Sequence, residues 1–476
     1  MEQLKKIGKI KPKKSIDVKK SRIGLGFEKL DRDVFDPENS YPFVAESGVK
    51  WARLQSGWQK TEHEIGVYDF EWLDKIVDRM ISIGVQPWLC LCYGHGYYIP
   101  EARDTFGAVC YAPVNTPEAL EAWLRYVKAT VEHFKGRIHY YEIWNEPDAE
   151  CVKQRPTPEQ FSDFTIATSK ACKEVDPECE IIGFVTCEAK AEYHNILCER
   201  GVCDHIDAIS YHAYGGTDED FVDRFNFYDN IRKAYNPKLK IIQGESGTQS
   251  RSDGCGALQG GAWTELKQAK FLLRHLITDL ALGAEFTSYF SCMDMAEALR
   301  GKVGDLQSIS DFGYFGVVGA SFDENARATG NYYAKPSYYA LQSLASVMCE
   351  DFDVVDIDVE VVNEDSTRML GANFDFGNAT HYFFQRPDGS TALYYWVPKN
   401  VLTETYEGET SFKIKKENLT ADVKLCDMLD GSVYDLGDHF LEEDDCYYFK
   451  NVPVTDSPIL ITFGNFRKWS FRKEAK

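Results

Sequence analysis

Two glutamates in this chain each stand where a short apolar run ends. Glu146 closes Tyr141-Glu142-Ile143-Trp144-Asn145-Glu146-Pro147, and Glu245 lies in Lys240-Ile241-Ile242-Gln243-Gly244-Glu245-Ser246-Gly247. An acid at a strand end, with an amide before it and a rigid ring after it, is a placed group rather than a solvated one. Two such carboxyls can cleave a glycosidic bond held between them: one, protonated, assists the leaving oxygen, and the other, ionised, attacks or activates water. They lie far apart along the chain, so only the fold can bring them together.

The elements that must do so are legible as a pattern. From residue 21 onward, short apolar runs alternate with stretches of helical period, which predicts parallel strands covered by helices. Eight such runs are present: Ile23–Phe27, Val49–Leu54, Val85–Cys92, Ile138–Trp144, Ile181–Val185, Ile206–Tyr211, Lys240–Gln243 and Ala284–Phe290. Thr116-Pro117-Glu118 and Thr157-Pro158-Glu159 read as helix starts, a capping hydroxyl followed by a first-turn proline and an acid. Leu266, Ala269, Leu273, Leu276 and Leu280 stripe a later helix that stops at Gly283, and further helices are expected at Tyr68–Ile83 and Ser337–Met348.

Eight strand–helix units are the count of a closed (β/α)₈ barrel, whose reacting residues sit at the carboxyl ends of the strands. Both glutamates fall there, after the fourth and seventh runs. An open doubly wound sheet would show a glycine-rich phosphate turn after its first strand, whereas Gly24-Leu25-Gly26 lies inside a strand and lacks the third glycine. The expected fold is α/β, a (β/α)₈ barrel over residues 21–350.

After residue 350 the helical periods vanish. Runs such as Thr380–Gln385, Thr391–Val397 and Cys446–Val452 alternate with turns at Gly377-Asn378, Pro387-Asp388-Gly389 and Asp430-Gly431, which predicts an all-β, sandwich-like domain over 351–476. The first twenty residues carry eight lysines and read as a flexible basic tail. A formal charge of −22 argues against nucleic acid or an anionic membrane as partner, because the long-range field repels both. No hydrophobic segment of secretory or membrane-spanning length is present, and the fourteen cysteines are scattered without Cys-x-x-Cys spacing. Reduced thiols in the cytoplasm are the expectation, with no metal or organic cofactor.

Asn145-Glu146-Pro147 after the fourth strand, with Glu245 after the seventh, resembles the clan A glycoside hydrolases, retaining enzymes built on a (β/α)₈ barrel. Arg53 at the end of strand two and Tyr211-His212-Ala213-Tyr214 after strand six extend the likeness over residues 21–350, and the trailing β-module makes it most similar to the family 39 β-xylosidases. The resemblance implies Glu146 as acid/base and Glu245 as nucleophile. It implies that Asn145 bonds the sugar 2-hydroxyl, that Arg53 and Tyr214 keep Glu245 ionised and oriented, and that His212 lines the subsite of the cleaved sugar. One departure stands out: many clan members have a tryptophan after strand eight as the floor of that subsite, and this chain reads Tyr289-Phe290-Ser291-Cys292-Met293-Asp294.

Aromatic residues crowd the expected strand ends at Trp58, Tyr93, Tyr97, Tyr98, Tyr289, Phe312 and Tyr314. Sugar rings pack their C–H faces on such rings, so Trp58, Tyr93 and Tyr289 are candidate substrate contacts, with loop packing as the alternative. Glu28, after strand one, either binds a sugar hydroxyl or bridges to a neighbouring basic residue. The expected partner is an oligosaccharide or glycoside, cleaved from a chain end. The rival readings are an endo-acting glycanase, a barrel that binds carbohydrate without cleaving it, and a metal-dependent barrel enzyme; the last wants a cluster of ligands, where one histidine stands at strand six.

Overall fold

The computed structural model describes every residue except 2, 150–154, 216, 300, 363–378, 418 and 467–476, so the turn expected at Gly377-Asn378 lies outside the described residues. After a first strand, β1 (Lys5–Lys9), eight parallel strands close into a barrel. They are β2 (Ile23–Gly26), β3 (Trp51–Gln55), β4 (Gln86–Leu91), β5 (Tyr140–Ile143), β6 (Glu180–Thr186), β7 (Ala208–His212), β8 (Lys240–Ser246) and β9 (Thr287–Tyr289), and β9 pairs back onto β2. All eight expected runs form these strands.

Side chains alternate across a strand, so residues two apart share the barrel interior. Toward the amino ends that interior is an apolar plug of Trp51, Trp88, Tyr140, Ile182, Ala208, Ile242 and Phe286, with the Trp51 and Phe286 rings stacked 4.6 Å apart. Two residues further along, Trp51 gives way to Arg53, Tyr140 to Glu142, Ala208 to Ser210 and Phe286 to Ser288, all buried. The sequence thus builds a dry base under a polar mouth.

The helices carry the capping chemistry expected of them. Thr116 accepts from the Ala119 amide at the start of Pro117–Phe134, Thr157 and Gln160 form a capping box on Pro158–Val175, and Glu265–Leu282 ends on Gly283 at φ +98°. The helix expected over Tyr68–Ile83 begins later and spans Glu71–Ser82, because the Asp69 carboxylate takes the Glu71 amide at 2.9 Å and turns the chain there. Asp218–Tyr235 is a helix that the sequence reading passed over; its buried stripe of Phe221, Phe225, Tyr228 and Ile231 is interrupted throughout by charges.

The carboxyl-terminal module consists of two antiparallel sheets. One runs in the order β1, Ser432–Asp435, Val423–Asp427, Ile459–Phe463, Thr391–Trp396, Thr380–Gln385 and Asp353–Val355, and the other comprises Val359–Val361, Glu407–Lys415, Cys446–Thr455 and Phe440–Glu442. The expectation of a free basic tail is corrected here. Residues 5–9 pair antiparallel with Ser432–Asp435 at the sheet edge, Leu4 and Ile10 are buried, and Lys9 Nζ bonds Asp430 Oδ2 at 3.1 Å. Lysines facing solvent on an edge strand gave those residues the look of a tail.

The two parts are joined through helix Glu265–Leu282, which is buried without interruption from Gln268 to Leu280. Lys270 Nζ contacts both Asp456 oxygens at 2.8 Å, and Arg274 Nε bonds the Asp456 carbonyl at 2.8 Å. Removing one partner leaves the other charge buried and unpaired. Asp456→Ala is expected to cost about 3–5 kcal/mol in chemical denaturation, while the apolar pair Lys270→Met with Asp456→Leu recovers most of that loss.

Candidate active site

At the carboxyl ends of the barrel strands lies a cavity of about 560 Å³ lined by both glutamates. Glu146 follows β5 on a sharply bent backbone: Trp144 (φ +69°) and Glu146 (φ +47°) both adopt the left-handed conformation that non-glycine residues avoid. Such residues cost on the order of 1–3 kcal/mol each and persist where the surroundings over-determine them. Here the Trp144 amide bonds the Leu91 carbonyl and the Glu146 amide bonds the Val185 carbonyl, which pins the turn between β4 and β6. Glu245 is held in β8 itself.

A carboxylate oxygen of Glu146, one of Glu245 and a ring nitrogen of His212 all lie within 4.8 Å of one another. His212 Nδ1 is 2.7 Å from Glu146 Oε1 and 3.8 Å from Glu245 Oε2. Glu245 is further gripped by Arg53 Nη1 on Oε2 and by the Tyr214 hydroxyl on Oε1, both at 2.6 Å. Burial works to raise the Glu245 carboxyl, but His212, Arg53, the Tyr214 hydroxyl and Lys29 together hold it below the usual carboxylate range. Burial works to lower His212, yet Glu245 and Glu146 beside it raise it above an ordinary imidazole.

Arg53 is the keystone of this arrangement. Its Nε and Nη2 form a bidentate pair with Glu142 at 3.1 and 2.6 Å, and Glu142 is steadied from below by Trp88 Nε1 at 2.7 Å. With its fork fixed on that side, the guanidinium reaches Glu245 with Nη1 and the Asn145 Oδ1 with Nη2 at 2.9 Å. Asn145 is among the cavity-lining residues, as are Glu28, Tyr93 and Tyr214.

Two candidate contacts are not where the sequence reading placed them. Trp58 is 0% exposed and packs among Tyr98, Trp123 and Tyr126 with its Nε1 bonded to Glu62, and Tyr289 is 1% exposed with its hydroxyl turned to the backbone of Thr248. Neither lines the cavity, because both strand-end rings are taken up in packing between the barrel and its loops. Tyr97, Tyr98, Phe312 and Tyr314 are absent from its lining as well. Phe290 is the lining residue where the clan's tryptophan is expected, with Lys29 Nζ 5.2 Å from its ring centre.

Part of the cavity is lined by residues that the sequence alone does not single out. Glu142 carries a signal in hindsight, an acid inside an apolar strand of a barrel. Lys29, Arg32, Gln55 and Glu297 line the cavity from loops and strand ends with no periodic pattern to mark them. Lys29 pairs with Glu297 at 3.3 Å, and Arg32 donates to Gln55 at 2.5 Å.

The family model for glycosyl hydrolases family 39 matches residues 53–243, from Arg53 through Asn145-Glu146 and His212 to just short of Glu245. A β-xylosidase of Geobacillus stearothermophilus is 25% identical over 161 residues, and the match spans 31% of this chain and 31% of that relative's length. A solved family 39 glycoside hydrolase from the gut symbiont Bacteroides cellulosilyticus WH2 has the same fold, with a TM-score of 0.64 at 14% identity over 93% of this chain and 80% of that one. A family 30 endoxylanase from Clostridium papyrosolvens C71 follows with a TM-score of 0.58 at 10% identity, covering 96% of this chain and 98% of that one. By its closed barrel, its matched segment and its strand-end residues, the chain is similar to the family 39 β-xylosidases among the clan A glycoside hydrolases.

Proposed function

We propose that this protein is a retaining β-glycosidase that removes single sugars from the ends of short β-linked oligosaccharides or glycosides, as a β-xylosidase or β-glucosidase does. The observation that carries the reading is the pair Glu146 and Glu245, with oxygens within 4.8 Å across one cavity and with unlike neighbours. Retaining enzymes hold their carboxyls about 5–5.5 Å apart, too close for an intervening water and close enough for direct attack on the anomeric carbon. In this reading Glu245, kept ionised, forms the glycosyl-enzyme while Glu146 protonates the leaving oxygen; Glu146 then takes a proton from water to release the sugar. Asn145 bonds the 2-hydroxyl, and Arg53, Tyr214 and His212 hold the carboxyls in place.

Release from a chain end is supported by the segment after β9. It lines the cavity with Glu297, Ala298, Leu299, Ser308 and Asp311, and it is strapped to the segment after β4 by the Phe106 amide on the Gly301 carbonyl and the Val303 amide on the Asp104 carbonyl. In this reading the wall closes one end of the cavity to a continuing polymer, which favours action at a chain end. Cytoplasmic residence is part of the proposal; it is supported by the thirteen described cysteines, all free thiols, even where sulfurs lie 3.6 Å apart at Cys90 and Cys92. No helix of the described residues is long and apolar enough to cross a membrane.

The test is a panel of 4-nitrophenyl β-glycosides together with β-1,4-linked xylo-oligosaccharides. The expected result is a monosaccharide as the first product at every chain length, in the β configuration by NMR before mutarotation. Mixed short oligomers would replace this reading by an endo-acting one, and a first-formed α sugar would exclude retention.

A further inference from the structure

Glu28 stands apart from the other acids of the cavity. It follows β2, is 1% exposed and lines the cavity beside Asn145 and Glu245. Neither of its carboxyl oxygens has a hydrogen-bond partner among the described residues. Its nearest cation, Arg53 Nη1, is 3.6 Å away and already committed to Glu245 at 2.6 Å. Space is made for it: a Cβ on Gly26 would come within 2.4 Å of Glu28 Oε2, so the glycine lets the carboxyl lie against the strand. A buried carboxyl with no partner is costly, and an ionised one far more so. The missing partner therefore belongs in the cavity.

We propose that Glu28 acts as a neutral carboxyl that grips one hydroxyl of the sugar at the cleavage site, donating through its O–H and accepting through its carbonyl oxygen, and thereby helps select the sugar. This rests on the glycosidase reading. A carboxylate can only accept, whereas a protonated carboxyl also donates, which matches a sugar hydroxyl that does both. The groups facing it are Arg53 on β3, Glu142 on β5, Tyr214 after β7, Glu245 on β8 and Cys292 after β9; Lys29, next in sequence, turns to Glu297 instead. Burial pushes the Glu28 carboxyl up to about 8 against the pull of Arg53, and Glu245 and Glu142 push the same way. One guanidinium cannot serve three carboxylates, and Glu28 is the one left without a donor. Its neutrality also spares Glu245 a like charge at close range.

The test uses 2,4-dinitrophenyl β-xyloside and β-glucoside, whose leaving groups need no protonation, so that kcat/KM is freed from the titration of the general acid. The wild type is expected to lose kcat/KM as the pH rises through about 8. Glu28→Gln, which keeps a donor and an acceptor, is expected to lower kcat/KM about tenfold and to remove that limb, and Glu28→Ala to lower it about a hundredfold. Among mono-deoxy substrates, one should carry a large penalty with the wild type and almost none with Glu28→Ala, a coupling that a merely structural residue does not produce. An alkaline limb that persists in Glu28→Gln, or deoxy penalties equal in wild type and Glu28→Ala, overturns the proposal. The pH profile of the Gln variant decides the matter should the Ala variant fail to fold. Turnover that Glu245→Ala abolishes keeps the glycosidase reading intact under either of those results, whereas no turnover by the wild type sinks both.

Discussion

Glu245→Ala is expected to reduce hydrolysis of 4-nitrophenyl β-xyloside by on the order of 10⁵-fold or more, the scale on which removal of a covalent nucleophile acts. The fold should survive the change, because the groups that grip Glu245 are anchored independently of it. Arg53 keeps its bidentate pair with Glu142, and Glu142 keeps its bond from Trp88. The diagnostic experiment adds azide, which fits the space left by the lost carboxylate. Attack from that side on a dinitrophenyl β-xyloside gives an α-xylosyl azide, with a single inversion, and NMR of the product reads its configuration. A β-xylosyl azide, or hydrolysis that persists at wild-type rate, removes Glu245 from the role of nucleophile.

The barrel was readable because each of its strands is buried on both faces and flanked by helices, so apolar runs of strand length recur at long intervals. The capping residues Thr116 and Thr157 marked helix starts for the same reason they stabilise them, by occupying amides that the first turn leaves open. Glu146 and Glu245 stand out in the sequence because each ends an apolar run and the two together resemble the clan A pattern, and the structure brings both carboxyls to one cavity. What escaped the sequence was set by partners far away in the chain. Trp58 at a strand end looks like a sugar platform until Tyr98, Trp123 and Tyr126 are seen to enclose it. Lys29 and Glu297 belong to one wall although 268 residues separate them, and neither sits in a periodic segment. The strand at Lys5–Lys9 hid behind its lysines, whose charges face water while its backbone completes a sheet more than four hundred residues away.

In the proposed mechanism unlike neighbours give the two glutamates unlike tasks, and the second large effect separates them. Glu245 has a cation and a hydroxyl on its two oxygens, an arrangement that favours charge; Glu146 contacts His212 at 2.7 Å, half-buried at the cavity wall, where a leaving oxygen can reach it. If Glu146 supplies the proton, Glu146→Ala should penalise substrates in proportion to how badly their leaving groups need it. For xylobiose or a methyl β-xyloside the expected loss in kcat/KM is about 10²–10⁴-fold, the usual contribution of a general acid, while 2,4-dinitrophenyl β-xyloside should form the glycosyl-enzyme at nearly the wild-type rate. Release of that intermediate then lacks its base, so a burst of dinitrophenol followed by slow turnover is the expected time course. Azide should speed the second step and give a β-xylosyl azide, with net retention, the opposite anomer to that from Glu245→Ala. An equal loss across all leaving groups, or an α product, would mean that the proton comes from elsewhere and that the two carboxyls do not divide the work in this way.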